Sequence, residues 1–435
     1  MKKLLLISLL CLLGIQTQAS HLMGGQITSK NIGGLTYEIT LTLYRDTLGI
    51  PMSSTQIIAY TDSTGNYVNT FPSHTINYDS SLTTNIGNGV ERYVFKDTVT
   101  FPYVGKFRAS MENCCRNAAI LNLPNPSSNS LWLDVDISAD PSNSSPVFLN
   151  EPITVAQHMQ PFVYNPAPFD ADGDSLSWQM DVPMDYFTNT VGIPIAGYTL
   201  PPSDTSAPFS LDPLTGEITF IPSVIGNFQI SVMAIEWRNG VQIGYIRRDM
   251  QLIVVPSPNT PVNVTSSTQV LRTQADPSIT LQPGDHLVFT VESVDYDAQP
   301  LQITACGSAF MAQTPALLTY NPAFTIDTTS VGGPFTWTST MVEWTPTQAE
   351  VRANPYFLIL RISEWYGPVR FSQDLTVKIQ VTNSTTGLDE LSGSEVKAEL
   401  IRTVDAMGRE ISPESSGFRI LQYSNGKSRK VYVVK

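Results

Sequence analysis

Three aspartates at alternate positions, in the run Asp170-Ala171-Asp172-Gly173-Asp174, are the residues of this sequence best suited to chemistry. In a turning loop their carboxylates can converge, and Gly173 lets the backbone bend around whatever they bind. Calcium takes about six to eight oxygen ligands and draws them from clustered carboxylates. The run opens like an EF-hand loop, but its sixth position is Ser175 rather than glycine and its flanks read as strands, which rules that motif out. Two readings stay open: calcium held by Asp170, Asp172 and Asp174, or a solvated Asp-Gly turn between strands. Glu236 and Asp249 are candidate further ligands, because a sandwich brings strand ends together at one pole; equally, they are exposed strand-end charges.

The cysteines give a second constellation. Cys114 and Cys115 are adjacent, which permits a vicinal disulfide in an oxidising compartment, a bridge from one of them to Cys306, or free thiols. The C-x-x-C spacing of a redox enzyme is absent. The histidines, His21, His74, His158 and His286, have no cysteine or second histidine at ligand spacing, which argues against zinc. No G-x-S-x-G elbow occurs, so the common hydrolase signature is missing. Acid pairs such as Asp181 and Asp185 have no better claim to glycoside chemistry than to an exposed loop. The reading is therefore not an enzyme.

The elements that must position these residues are strands. Alternating apolar and polar runs recur, as in Thr36 to Tyr44 and Phe228 to Ile235, and turn clusters such as Asp62 to Asn66 and Arg238-Asn239-Gly240 separate them. With 31 prolines, 27 glycines and 14% charged residues, the chain suits an all-β fold of tandem antiparallel β-sandwich modules of immunoglobulin or cadherin-like type. The single helical hint is a short turn within Thr347 to Ala353.

A degenerate repeat organises the middle of the chain. Asp170 to Leu176 recurs 125 residues later as Asp295-Tyr296-Asp297-Ala298-Gln299-Pro300-Leu301, and Glu236-Trp237 recurs 128 residues later as Glu364-Trp365. Two related sandwiches follow, residues 144–256 and 257–383, each preceded by a proline-rich linker. Gln299 replaces the third aspartate in the second copy, which predicts weak calcium binding there or none. Residues 20–143 form a separate N-terminal β domain, and 388–435 a small C-terminal segment.

Residues 1–19 read as a signal peptide: Lys2-Lys3, the apolar run Leu4 to Ile15, then small residues before Ser20. The charge of −13 makes nucleic acid an improbable partner, since phosphate contacts need a basic face.

Three stretches carry a resemblance. Ser20 to Thr28, Thr36 to Asp46 and Glu112-Asn113-Cys114-Cys115-Arg116-Asn117 resemble the large Bacteroidota surface proteins labelled gliding-motility-associated or PKD-domain proteins. These usually have a further cysteine where Thr47 stands, and its loss favours pairing of Cys114 with Cys115. The first repeat is similar to their cadherin-like modules through Asp170 to Asp174, Leu214 to Ile218, Glu236 to Val241 and Arg247-Arg248-Asp249; in such families the aspartate run lies near calcium at a module junction. The tail, through Val404 to Ile411, Gly417 to Leu421 and Lys430 to Lys435, resembles the C-terminal sorting domain of the type IX secretion system, without its upstream Asn-Pro strand motif. The resemblance implies an exported cell-surface or extracellular protein, delivered across the outer membrane by the type IX machinery. Its role is then cell adhesion, surface assembly or gliding motility, through an unidentified surface protein or glycan. A carbohydrate-binding accessory protein and a divergent hydrolase are the other readings.

Overall fold

The computed structural model describes residues 22–68, 72–188, 191–266, 278–326, 334–383, 400–404, 409–412, 417–423 and 428–433. The segment 1–19, which reads as a signal peptide, lies outside them, as does all of 384–399. Among the described residues there is no α-helix, only three short 3-10 turns, and no helix is long and apolar enough to cross a membrane. One of those turns, Gln348–Glu350, falls within the stretch where the sequence suggests a helical turn.

Strand formation follows the period-two pattern. Leu287–Asp295 alternates buried and half-buried positions along its whole length, which is what a strand with one face on a core requires. The hairpin at Asn239-Gly240 has both residues at positive φ, 52° and 76°. That geometry twists with the flanking strands, and Asn-Gly tolerates it best.

The molecule is a tandem array of antiparallel β-sandwiches. On the N-terminal side, Leu22–Gly33, Thr36–Asp46, Val90–Thr100 and Thr84–Gly87 pair in that order, and Ser73–Asn77, Thr55–Asp62, Gly105–Asn113 and Leu131–Ala139 form the facing layer. Both layers then meet the long strand Val241–Val255. One edge of that strand is covered by Gly226–Arg238. Its other edge is shared in turn by Leu131–Ala139 at Tyr245 and Ile246, by Leu22–Gly33 from Arg248 to Met250, and by Val155–Gln157 from Ile253 to Val255. One apolar core accordingly runs from Leu22 to Val254, across residue 143.

The contact at Leu22–Gly33 is close. A Cβ on Gly24 would stand 1.9 Å from the carbonyl oxygen of Asp249, and Gly24 has φ +137°. Glycine is required there on both counts. The long strand also carries charge inside the protein. Arg248 donates to the Gln26 side chain at 2.6 Å, to Asn150 O at 2.6 Å and to the Tyr164 hydroxyl at 2.5 Å. Arg247 binds Asp134 and Asp181. Each buried guanidinium is thereby supplied with acceptors, carboxylates for Arg247 and neutral oxygens for Arg248, which offsets the cost of its burial.

The second sandwich has its own core, around Phe289, Val291, Val342, Trp344, Leu358, Leu360, Val377 and Ile379. Two four-stranded sheets enclose it: Asn263–Ser266, Leu287–Asp295, Phe335–Trp344 and Leu317–Ile326 against Ser278–Leu281, Val369–Val381, Tyr356–Tyr366 and Leu301–Cys306. Ser278–Leu281 runs parallel to the closing strand, as Val155–Gln157 does in the first. The two sandwiches join through polar contacts centred on Asp374, which accepts from Asn150 Nδ2 and from the backbone N–H of Asn165, each at 2.9 Å. In the tail, Leu400–Val404, Gly417–Tyr423 and Ser428–Val433 make a small antiparallel sheet.

Candidate metal centre

The loop Asp170–Asp174 leads directly into Ser175–Asp181, whose antiparallel partner is Gly226–Arg238. The register sets Leu176 opposite Glu236. Since residues directly opposite share a face and the period is two, Asp174 and Glu236 point to the same side.

Asp170 shapes the loop. Its Oδ1 accepts the N–H groups of Asp172 at 3.0 Å and Asp174 at 2.9 Å, leaving Oδ2 buried with no donor. Glu236 is fully buried, and neither of its oxygens accepts a hydrogen bond. Oxygen atoms of Asp170, Asp174 and Glu236 lie within 4.8 Å of one another. Burial, reinforced by the Asp174 and Asp172 charges, pushes the Asp170 carboxyl up to about 6. Burial, with the Asp170 and Asp174 carboxylates beside it, also raises Glu236 well above the ordinary range. Unpaired carboxylate oxygens in a dry site are costly unless a proton or a cation joins them. Three donor-free oxygens on Asp170 and Glu236, beside the Asp174 carboxylate, suit a hard, oxygen-seeking cation such as calcium.

Not every candidate from the sequence enters this cluster. Asp172 is exposed, and its Oδ2 accepts the backbone N–H of Ser144 at 2.5 Å, which ties the loop to the linker. Asp174 has a second partner, Arg238, which also donates to Asn143 Oδ1 at 2.6 Å. Asp249 lies elsewhere, held by both terminal nitrogens of Arg116 at 3.2 and 2.8 Å and by Gln229. Arg116 is buried too, donating to Ser130 O and Met184 O. The sulfurs of Cys114 and Cys115 are bonded to each other, and Cys306 is free and half-buried in the second sandwich.

Neither a family model nor a curated protein sequence matches the chain. Among solved structures it is similar to zebrafish RET cadherin-like domains 1 to 4, at 9% identity over 89% of this chain and 87% of that one, with a TM-score of 0.21. It is also similar to a complex of Dpr2 Ig1-Ig2 with DIP-Theta Ig1-Ig3, at 9% identity over 79% of this chain and 94% of that one, with a TM-score of 0.16. The strand pairing described above carries the fold assignment by itself.

The cluster is absent from any single stretch of sequence, yet Glu236 has a signal. It stands in one of the two Glu-Trp pairs that mark the repeat. The linker residues Asn143 and Ser144 have none beyond their place in a proline-rich junction.

Proposed function

We propose that the chain is a non-enzymatic, exported protein of the cell surface or extracellular space, whose sandwiches form a scaffold for adhesion or surface assembly. We propose further that calcium stiffens this scaffold at Asp170, Asp174 and Glu236. The supporting observation is the set of donor-free carboxylate oxygens on Asp170 and Glu236, beside a loop whose Asp172 is fastened to the linker. A cation there locks loop, linker and strand together. Export rests on the leader-like residues 1–19, and delivery by the type IX machinery on the tail's resemblance to sorting domains.

Thermal unfolding of the whole chain, with calcium and with chelator, tests the metal. Calcium is expected to raise Tm, and identical curves would remove it from the proposal. Fractionation of native cells with and without the secretion machinery tests export. Retention in the periplasm of wild-type cells would overturn delivery by the type IX machinery, and retention in the cytoplasm would overturn export itself.

A further inference from the structure

We propose that the second sandwich holds a divalent cation of its own, coordinated by side-chain oxygens of Asn259, Asp295, Gln299 and Glu364. The loop there repeats the hydrogen bonds that the first and third residues of the first loop make to backbone N–H groups. Asp295 Oδ1 accepts the N–H groups of Asp297 at 2.8 Å and Gln299 at 3.1 Å. Asp297 Oδ2 accepts the N–H of Thr260 at 2.7 Å, tying the loop to its linker as Asp172 is tied to Ser144. Glu364 stands opposite Leu301, as Glu236 stands opposite Leu176.

Four buried oxygens from four different side chains have no donor: Asn259 Oδ1, Asp295 Oδ2, Gln299 Oε1 and Glu364 Oε2. Their residues are 3%, 1%, 9% and 3% exposed. Asn259 Nδ2 is already spent on Glu364 Oε1 at 2.8 Å, so the amide oxygen is what Asn259 has left to offer. Side-chain carbonyls of Asn and Gln are ordinary calcium ligands alongside carboxylates.

The replacement of an aspartate by Gln299 does not weaken the charge balance. In the first module Asp174 is neutralised by Arg238, two residues beyond Glu236. Two residues beyond Glu364 stands Tyr366. The second module has therefore lost one negative and one positive group together. Each cluster keeps two carboxylates with no basic partner, Asp170 and Glu236 in one, Asp295 and Glu364 in the other. Freed from an arginine, the linker asparagine becomes a ligand rather than an acceptor for a guanidinium.

Calcium titration of the whole chain by calorimetry, with calcium as the probe, tests this independently of the first site. Two ions per chain are expected for the wild type. Glu364→Gln and Glu236→Gln should each leave one ion, and the double variant none. Gln299→Ala should weaken one of the two sites at least about tenfold. A single ion that survives Glu364→Gln and vanishes with Glu236→Gln overturns the second site and keeps the first. A single ion with the opposite behaviour overturns the first alone, and no ion overturns both. The wild-type stoichiometry stands even if a variant fails to fold, since one ion or none contradicts two filled sites.

Discussion

Arg238 and Asp174 meet in a two-armed ion pair, with Nε 2.8 Å from one carboxylate oxygen and a terminal nitrogen 2.5 Å from the other. The pair fixes the loop without a metal, and it lowers the negative charge offered to one. Arg238→Gln should therefore tighten calcium at the first site, by about 1 kcal/mol or about fivefold for a unit charge at contact distance in a water-like medium. It should also lower Tm in chelator. Unchanged affinity in calorimetry would show that Asp174 takes no part in binding.

The same carboxylates make the metal-free protein sensitive to pH. Burial, helped by neighbouring carboxylates, pushes Asp170 up to about 6 and Glu364 up to about 8. An acid whose folded-state value is raised contributes stability that is fully present below its unfolded value and is lost as pH rises through the folded one. In chelator, Tm should fall between about pH 4 and about pH 8; with calcium, the fall should shrink. A flat chelator profile would contradict the crowding of these groups.

Gly24 admits no side chain. Gly24→Ala puts a Cβ against the Asp249 carbonyl and forces alanine to a φ of +137°. The expected cost is about 3 kcal/mol or more, read from the denaturant midpoint. A loss below about 0.5 kcal/mol, the level of an ordinary surface change, would mean that the seam yields easily.

Asp374 holds Arg361, at 2.8 and 3.0 Å, as well as Asn150 and Asn165 of the first sandwich. Asp374→Ala strands a buried guanidinium, at about 3–5 kcal/mol. Limited proteolysis should show faster cleavage in the linker 256–261. An unchanged cleavage rate would place the adhesion between sandwiches elsewhere.

Glu350 closes a capping box on Thr347, accepting its N–H and hydroxyl at 2.7 Å, and also takes the N–H of Thr314 at 2.9 Å. Glu350→Ala should cost about 1–2 kcal/mol, and Glu350→Gln less. Equal losses in denaturant titrations would assign the effect to packing instead.

Strands such as Thr36–Asp46 and Leu287–Asp295 are legible because alternation is a local property. Partner choice is not. Nothing near Gly24-Gly25 announces that this segment pairs with residues more than 200 positions away. Arg247, Arg248 and Asp249 look like a charged strand end, yet they are buried because Asp134 and Gln26 arrive from other strands, and Arg116 from the loop after Gly105–Asn113, to meet them. In the candidate site, Asp170 and Asp174 follow from the motif. Asp172 does not behave as its spacing suggests, because a backbone N–H at Ser144 takes its carboxylate first. Asn259 is illegible as a ligand, since linker composition says nothing of where one amide points. The weight of Gln299 was hidden too, because the absence of an arginine at position 366 matters only once Arg238 is seen holding Asp174.

The strand Val241–Val255 has a practical consequence for anyone dividing this chain. A fragment started at residue 144 would keep Gly226–Arg238 on one side of it but strip away Leu22–Gly33 and Leu131–Ala139 on the other. The bared edge would present unpaired backbone groups and recruit another strand, so such a fragment should aggregate or swap. The smallest heritable piece that could be transplanted whole into another protein thus runs from the first strand to residue 255.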